Sequence, residues 1–290
     1  MNKATRFRAY QLGTKGSSFT YSVGNHITLI EARFNDTNKS NVIAEVKRIG
    51  ESRIDCLHIT SWDEDHCNYS ELQEILRVLK PYRIEYPWYT PDTENGLNSK
   101  RLIEKYVKDN SLTGLAVSPD YINSLEEGKE LKYNDILYNP TYEADNHNDN
   151  SLVKFFRHGK FTVLSLGDCE DAAIARSIMG CSMASKEVDV MILAHHGADN
   201  GFTTKAFIEK INPKVAICSS NYDNQFEHPK PEIRQMLYEA GIPLYTTKTG
   251  DVIIDCPTGS TARVFNFIGN NEVLNSSRTF TTKLDVPDEL

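Results

Sequence analysis

The sequence predicts an α/β protein in which strands and helices alternate through two similar halves. Apolar residues make up 39% of the 290-residue chain and charged residues 25%, a composition that can bury a core. Strand-like alternation and helix-like spacing follow one another in the first half, and the second half repeats that order. Because no low-complexity linker separates the halves, we expect one domain over residues 1–268 and a C-terminal tail over residues 269–290, where no core pattern is visible.

The first half opens with short strands and then changes to a helical period. Strands are predicted at residues 7–12, 19–23, 26–32, 53–60 and 83–88. Gly24-Asn25 is typical of the two-residue turn of a hairpin. One helical face is formed by Leu72, Ile75, Leu76 and Leu79. Ser70 is the predicted N-cap of that helix and Pro81 its stop, and a second helix is predicted around residues 102–107.

The second half contains further strands and two helices. Strands are predicted at residues 152–156, 161–166, 188–194, 214–218, 244–246, 252–255 and 262–267. The first two strands form a hairpin around His158-Gly159, and the third is apolar except for Asp189, as a buried strand would be. Helices are predicted at residues 206–211 and 232–240, the latter with Gly241 at its C-terminal cap.

The charge balance and the absence of long apolar runs limit the possible partners. Lys and Arg number 32 against 40 Asp and Glu, a net charge of −8. This balance argues against broad wrapping of nucleic acid, although a nuclease whose positive charge is carried by bound metal stays possible. No apolar run is long enough for a membrane helix, and no secretory signal is visible, so we expect a cytoplasmic protein without a membrane partner.

Four polar clusters follow predicted strands and carry the candidate chemistry. In the first, Asp63, Asp65 and His66 offer carboxylate and imidazole ligands that suit a divalent cation such as zinc or manganese. A solvated acidic loop is an equal alternative for this cluster alone. The second cluster is Leu166-Gly167-Asp168, which alone is typical of a turn aspartate.

The other two clusters contribute histidines. His195 and His196 follow the apolar strand at residues 188–194. Because adjacent side chains on a strand point to opposite sides, we expect at most one of them to bind a given ion directly. His228 lies between prolines in a rigid loop before a helix, where it can bind phosphate or donate a proton. A structural turn histidine is an equal alternative there.

Taken in order, these motifs resemble the metallo-β-lactamase superfamily, and in particular the hydrolase domain of ComEC/Rec2 competence proteins. The similar segments are Thr60–His66 (TSWDEDH), Asn148–Val153 (NDNSLV), Ser165–Asp168 (SLGD), His195–Ala198 (HHGA) and Glu227–Glu232 (EHPKPE). The resemblance extends from about residue 7 to 267. It implies an αββα sandwich with a metal site at one edge between the sheets, and hydrolysis by metal-bound hydroxide.

Two positions depart from that family. Ser61 stands where the family has its first histidine, and Glu31-Ala32-Arg33 stands where an aspartate followed by glycines is usual. A hydroxyl is a far weaker ligand than an imidazole, so one or two divalent ions, zinc or manganese, stay possible. The ligands that the resemblance implies are Asp63, Asp65, His66, Asp168 and one residue of the pair His195 and His196. Asp65 and His228 are the candidate catalytic groups.

The resulting hypothesis is a metal-dependent hydrolase, a phosphodiesterase or nuclease acting on nucleic acid or a nucleotide. Three aspartates and two histidines favour phosphoester chemistry over a histidine-rich zinc site. Hydrolysis of a small ester, lactone or cyclic nucleotide is the alternative activity, and a non-catalytic interaction module is the alternative class. Tyr86, Trp88 and Tyr89 can line a substrate groove or pack against the preceding helix. The sequence identifies no partner protein.

Overall fold

Two β-sheets packed face to face form the centre of the protein. The computed structural model describes residues 3–118, 120–121, 136–138 and 144–283. The strands in chain order are β1 (Thr5–Ala9), β2 (Phe19–Val23), β3 (His26–Ile30), β4 (Cys56–His58), β5 (Arg83–Pro87), β6 (Thr113–Val117), β7 (Ile136–Tyr138), β8 (Val153–Phe156), β9 (Thr162–Ser165), β10 (Val188–Ile192), β11 (Val215–Cys218), β12 (Leu244–Thr246), β13 (Val252–Cys256), β14 (Thr261–Ile268) and β15 (Val273–Thr281). One sheet has nine strands in the order β15-β14-β13-β1-β2-β3-β4-β5-β6, and the other has six in the order β12-β11-β10-β9-β8-β7.

Helices cover the outer face of each sheet. They are α1 (Lys39–Arg48), α2 (Tyr69–Val78), α3 (Glu94–Asp109), α4 (Ala172–Gly180), α5 (Ser182–Glu187), α6 (Lys205–Ile211) and α7 (Pro231–Glu239). The first three pack on the nine-stranded sheet and the last four on the six-stranded sheet. A third apolar core, which includes Phe7, Phe161 and Ile254, lies between the sheets. The layers are therefore α, β, β and α, as the resemblance implied.

Local capping corrects one predicted boundary. Helix α2 begins two residues earlier than expected, because the side chain of Asn68 accepts hydrogen bonds from the backbone N–H groups of Ser70 and Glu71. Asn68 is therefore the N-cap, and the prediction of Ser70 was wrong. The glycine at the end of α7 is confirmed: Gly241 follows the helix with φ +70°, a conformation that strains any residue with a Cβ.

Two elements have too weak an apolar pattern to be predicted from the sequence. Helix α1 was not predicted, and it buries only Val42, Glu45 and Val46 against the sheet. Residues 273–281 were expected to belong to a tail, yet they form β15, which pairs antiparallel with β14. Most side chains of β15 are exposed, so the strand has backbone partners but no apolar face to reveal it. The hairpins predicted around Gly24-Asn25 and His158-Gly159 are both confirmed.

The topology gathers loops from both sheets at one edge. Strands β3 to β6 are parallel to one another, as are β9 to β12 in the other sheet. The carboxyl ends of parallel strands lie at the same edge of a sheet, and functional loops concentrate there. Loops after β3, β4, β9, β10 and β11 meet there and carry the polar clusters of the sequence. None of the described helices is long and apolar enough to cross a membrane.

Candidate metal centre

Four polar side chains from three separate loops converge at this edge. Asp65 and His66 follow β4, Asp168 follows β9, and His196 follows β10. Each offers one potential ligand atom, and these four atoms all lie within 4.8 Å of one another. His66 Nε2 lies 2.9 Å from Asp168 Oδ2, and His196 Nε2 lies 3.7 Å from Asp65 Oδ2 and 3.9 Å from Asp168 Oδ2. The four groups therefore surround one point.

The two imidazoles turn their Nε2 atoms toward that point. Both Nε2 atoms are buried and neither makes a hydrogen bond of good geometry within the described part of the chain. The opposite ring atoms are occupied: His196 Nδ1 lies 2.8 Å from the carbonyl oxygen of Ser219, and His66 Nδ1 lies 3.2 Å from Glu31 Oε1. Because those acceptors hold a proton on Nδ1, a cation that displaces the proton on Nε2 would meet a lone pair on each ring, the orientation of a metal-binding histidine.

The electrostatics of the centre favour a positive charge. Burial opposes a charge on His66, but the carboxylates of Asp168 and Glu31 outweigh it and raise the pKa of His66 well above its usual value. Burial likewise opposes the charge on Asp168, and the imidazoles of His66 and His196 outweigh it and lower the pKa of Asp168 to about 2. The buried carboxylate of Asp168 and the partly buried one of Asp65 face two imidazole nitrogens, an arrangement that is stable only when a proton or a cation lies between them.

The donor set fits a divalent cation. Two carboxylate and two imidazole ligands are a combination found at zinc and manganese sites. The buried Nε2 atoms of His66 and His196 lack hydrogen-bond partners in the described structure, which a metal bond would supply. Glu31 and Ser219 orient the two rings from behind. We conclude that the residues present fit the metal that the resemblance implied.

A glycine loop holds Asp65 in place. The backbone N–H of Ser17 donates to the carbonyl oxygen of Asp65 at 3.0 Å, and Ser219 Oγ donates to the carbonyl oxygen of Gly16 at 2.8 Å. A Cβ on Gly16 would lie 2.4 Å from the Asp65 carbonyl oxygen and 2.3 Å from Arg33 Nη1. Gly16 therefore allows a close approach between two loops of the nine-stranded sheet, and its carbonyl oxygen joins them to the Ser219 loop of the six-stranded sheet.

The Asn148–Val153 segment supports the loop of Asp168. Ser151 Oγ accepts a hydrogen bond from the backbone N–H of Asp168 at 3.1 Å. Gly167 has φ +55°, and a Cβ there would lie 2.7 Å from Ser151 Cβ. Asn148 Nδ2 donates to Glu170 Oε1 at 3.1 Å. The Asn148–Val153 segment, which resembles a family motif, thus stabilises the Asp168–Glu170 loop through hydrogen bonds.

The paired histidines have separate partners. They lie beyond the end of β10, in a turn where His195 has φ 43° and His196 has φ 53°. His196 joins the four-residue cluster, whereas His195 Nδ1 makes a close ion-pair contact with Glu170 Oε1. Left-handed backbone at two consecutive non-glycine residues is strained, by on the order of 1 kcal/mol each. In this turn the two rings have different partners, although their centroids are only 6.2 Å apart.

Asp63 lies outside the cluster. Ser61 Oγ donates to Asp63 Oδ2 at 2.9 Å and accepts from the backbone N–H of Asp63 at 3.2 Å. Ser61, which stands where the resembled family has a histidine, therefore forms a local turn with Asp63 by hydrogen bonding to its carboxylate. The structure brings together four of the six predicted ligands and leaves Asp63 and His195 beside them.

His228 lies beside the ligand cluster. Its ring is stacked 6.4 Å from the His196 ring and lies 5.8 Å from the His195 ring. Burial, together with the positive fields of His196 and His195, lowers the pKa of His228 to about 4, so the ring is neutral at physiological pH. A small cavity lies between them, lined by Lys15, Gly16, Asp65, His195, His196, Ser219, Ser220, Asn221, Asn224, Phe226 and His228.

Sequence reasoning missed two carboxylates that contact histidines of the site. Glu31 orients His66 and Glu170 pairs with His195, and the departure at residue 31 was the available signal for the first of them. Of the two alternatives for the aromatic segment, packing is observed: Tyr86 and Tyr89 are buried, and Tyr86 lies against Trp62. The packing alternative for that segment is the one the structure supports.

Two curated proteins are similar in sequence. The chain is 26% identical to ComE operon protein 3 of Bacillus subtilis (strain 168) over 204 residues, 70% of this chain and 25% of that protein. It is 30% identical to Competence protein ComA of Neisseria gonorrhoeae over 107 residues, 36% of this chain and 15% of that protein. The matched region is thus a quarter or less of either relative's length. No family model matches the chain.

A solved structure shares the fold. Igni18, described as a novel metallo hydrolase from the hyperthermophilic archaeon Ignicoccus hospitalis KIN4/I, superposes with a TM-score of 0.53 and 16% sequence identity. The superposition covers 86% of this chain and 98% of Igni18. The layer order, the strand topology and the sequence similarity to competence proteins all indicate the same fold. This chain therefore has the αββα fold of the metallo-β-lactamase hydrolases, and it resembles the ComEC-like proteins among them.

Proposed function

We propose that this chain is a metal-dependent hydrolase that binds one divalent cation, zinc or manganese, and cleaves phosphodiester bonds. The observation that carries the proposal is the convergence of Asp65, His66, Asp168 and His196, whose ligand atoms lie within 4.8 Å of one another. When bound, the ion supplies a Lewis acid that lowers the pKa of a water molecule and neutralises charge on a phosphoryl oxygen. One ion is expected because Ser61 engages Asp63 in a hydrogen bond.

The remaining polar groups of the cavity supply proton transfer and hydrogen bonding. His195 Nδ1 contacts Glu170 Oε1, and a proton held at that contact leaves Nε2 as the ring atom that accepts a proton from an attacking water. His228 is neutral at physiological pH, because its pKa is lowered to about 4, and its ring N–H can donate to a leaving oxygen or a phosphoryl oxygen. Asp65 is placed to orient the water as well as to bind the ion.

The chemistry of the cavity favours a phosphoester over a carboxyl ester. Hard oxygen donors from two aspartates suit manganese as well as zinc, and such ions are typical of phosphoester hydrolysis. Lys15 adds a cationic side chain at the rim. The anionic substrate expected here is a nucleic acid strand or a nucleotide, and the local positive charge comes from the ion and Lys15, since the whole chain carries −8.

The test compares metal content and activity in two variants. Asp168→Asn keeps the size of the side chain but weakens a central ligand, and Asp199→Asn removes an exposed carboxylate three residues after His196 as the matched control. We expect the wild type and the control to hold about one equivalent of zinc or manganese and to hydrolyse bis(p-nitrophenyl) phosphate. We expect Asp168→Asn to lose at least about 100-fold in activity, because removing even an orienting partner costs 10- to 100-fold.

The same assay separates the alternatives. Metal binding with cleavage of carboxyl esters or lactones, and none of phosphodiesters, would move the assignment to the small-ester hydrolases. A wild-type protein that takes up neither zinc nor manganese by elemental analysis would identify an interaction module. Full activity of Asp168→Asn would overturn the metal centre itself.

A further inference from the structure

One large aromatic side chain at the rim of the cavity is exposed. Phe226 keeps 57% of its surface accessible, yet its ring stacks on His228 with the centroids 5.7 Å apart and the planes inclined by 25°. An exposed aromatic residue in this position offers a flat apolar surface that a ligand can cover. We call Phe226 and His228 together the aromatic platform.

The loop that carries the platform is held by an asparagine. Asn224 Oδ1 accepts a hydrogen bond from the backbone N–H of His228 at 2.6 Å. Asn224 Nδ2 donates to the carbonyl oxygens of His228 at 3.1 Å and Asn221 at 3.0 Å. Three hydrogen bonds from one side chain fix the loop on both sides of Phe226. The platform is therefore ordered before any ligand binds, which lowers the entropic cost of binding.

The cavity beside the platform admits only a small group. Its volume is about 60 Å³, which is room for about four to six water molecules. Asp65 and His196 line it, and both belong to the metal centre. A phosphoryl group fits such a space, whereas a sugar and a base do not. Most of any phosphoester substrate must therefore lie outside, over the rim that Phe226, Lys15 and Asn221 form.

We propose that the aromatic platform binds the base of a nucleotide whose phosphate enters the cavity. This inference rests on the proposed function and names the substrate class of the same site. Stacking of a base on an aromatic ring raises the binding affinity by about 5- to 150-fold per base. An aliphatic side chain does not give this increase. Lys15 and the Asn221 amide supply polar contacts at the edge of the platform, where the sugar and flanking phosphate lie.

Binding of a fluorescent nucleotide tests the platform directly. The probe is 1,N6-ethenoadenosine 5′-monophosphate, whose fluorescence is quenched on stacking, titrated with the zinc-loaded protein. Ribose 5-phosphate, which has the phosphate and sugar without a base, serves as the matched ligand and is measured by calorimetry. The variants are Phe226→Leu, Phe226→Trp and Tyr238→Leu. Tyr238 is 80% exposed on α7 and does not line the cavity, so it controls for loss of an exposed aromatic ring.

The expected results form a clear pattern. The wild type, Phe226→Trp and Tyr238→Leu bind the nucleotide at least about 5-fold more tightly than ribose 5-phosphate, and Phe226→Leu loses that preference. Binding of ribose 5-phosphate is the same in all four proteins. Equal nucleotide affinity in the wild type and Phe226→Leu would overturn the proposal, as would no measurable nucleotide binding. A parallel loss of both ligands in Phe226→Leu would also overturn it, since the ring would then only support the loop.

Failure of this inference and failure of the proposed function give different results. A wild type that cleaves bis(p-nitrophenyl) phosphate but binds the nucleotide no better than ribose 5-phosphate refutes the platform alone. A wild type that shows the base preference without cleaving phosphodiesters refutes the hydrolase and keeps the platform. An oligothymidylate distinguishes the two sources of a nucleotide unit. If the oligothymidylate binds more tightly than the mononucleotide, the ligand is a nucleic acid strand. If the two bind equally, the ligand is a free nucleotide. Either result supports the platform.

Discussion

Glu31 Oε1 lies 3.2 Å from His66 Nδ1, and this contact directs the other nitrogen of the ring to the metal centre. Glu31 is itself held by Thr60, whose hydroxyl and backbone N–H donate to its two carboxylate oxygens at 2.6 and 3.0 Å. On the far side of the ring, His66 Nε2 lies 2.9 Å from Asp168 Oδ2. A carboxylate behind a histidine raises the basicity of the ligand atom and fixes its orientation.

Replacing Glu31 should weaken metal binding without removing a ligand. We expect Glu31→Gln to raise the dissociation constant for Zn²⁺ by about 10- to 100-fold, because the neutral amide no longer stabilises the proton on His66 Nδ1. Competition with a chromophoric chelator measures the constant. Asp36→Asn removes an exposed carboxylate five residues after Glu31 and should leave the constant unchanged. Equal affinities in wild type and Glu31→Gln would show that Glu31 does not orient the ligand.

Placing an imidazole at residue 61 should create a second metal-binding site. Ser61 and Asp63 hydrogen-bond to each other beside the cluster, so the position has a free carboxylate once the hydroxyl is replaced. We expect Ser61→His to raise the bound zinc from about one to about two equivalents, because imidazole and carboxylate are both zinc ligands. Elemental analysis after equilibrium dialysis gives the ratio.

Ser61→Ala is the control for that experiment. It breaks the hydrogen bond to Asp63 without adding a ligand, so we expect its zinc content to stay at about one equivalent. A rise in Ser61→Ala equal to that in Ser61→His would mean that the freed Asp63, and not the new imidazole, recruits the ion. No rise in a folded Ser61→His protein would contradict the prediction.

The close approach at Gly16 should couple stability to metal affinity. We expect Gly16→Ala to lower the free energy of unfolding by about 1–3 kcal/mol and to weaken zinc binding, because its Cβ would displace the Asp65 backbone. Gly50→Ala is a matched control: Gly50 also has positive φ, +81°, but no atom lies within 4 Å of a Cβ there. Urea unfolding and chelator competition measure the two effects. Equal losses in the two variants would assign the effect to backbone strain alone.

Asp189 should make stability depend on pH. It is buried on β10, where its carboxylate accepts hydrogen bonds from the backbone N–H groups of Lys283 at 2.8 Å and Thr162 at 3.1 Å. Burial outweighs these donors and raises the pKa of Asp189 from 3.8 to about 6. The native state therefore binds this proton more tightly than the unfolded chain does. The resulting stabilisation is complete below pH 3.8 and is lost as the pH rises through about 6.

Asp189→Asn isolates that contribution. The unfolding free energy of the wild type minus that of the variant should fall by on the order of 3 kcal/mol between about pH 4 and pH 7. Lys283, whose pKa burial lowers to about 8, stays mainly protonated in this range. The amide loses one acceptor, which shifts the difference by a constant amount and leaves its slope unchanged. Urea titrations at several pH values give the slope, and a pH-independent difference would contradict the prediction.

Local signals were sufficient for most strands and for helices with a strong apolar face. Helix α2 was predicted because Leu72, Ile75 and Leu76 all face the core, whereas α1 and β15 were missed because few of their residues are buried. The order of the polar motifs likewise indicated the metal site before any contact was known. The order of the motifs depends only on where the strands end, and strand ends can be predicted from the sequence pattern.

By itself, the sequence predicted an α/β domain with polar clusters just past its strand ends, and it limited the residue types available to a cation. Its resemblance to the metallo-β-lactamase superfamily implied the layer order and the edge at which the polar loops meet. Only the tertiary structure decided that Asp65, His66, Asp168 and His196 converge while Asp63 turns to Ser61. It also decided that Glu31 lies behind His66 and that Phe226 remains exposed at the rim. The physical reason is that these contacts join residues distant in sequence, through backbone turns and ring orientations that packing sets and that no local periodicity records.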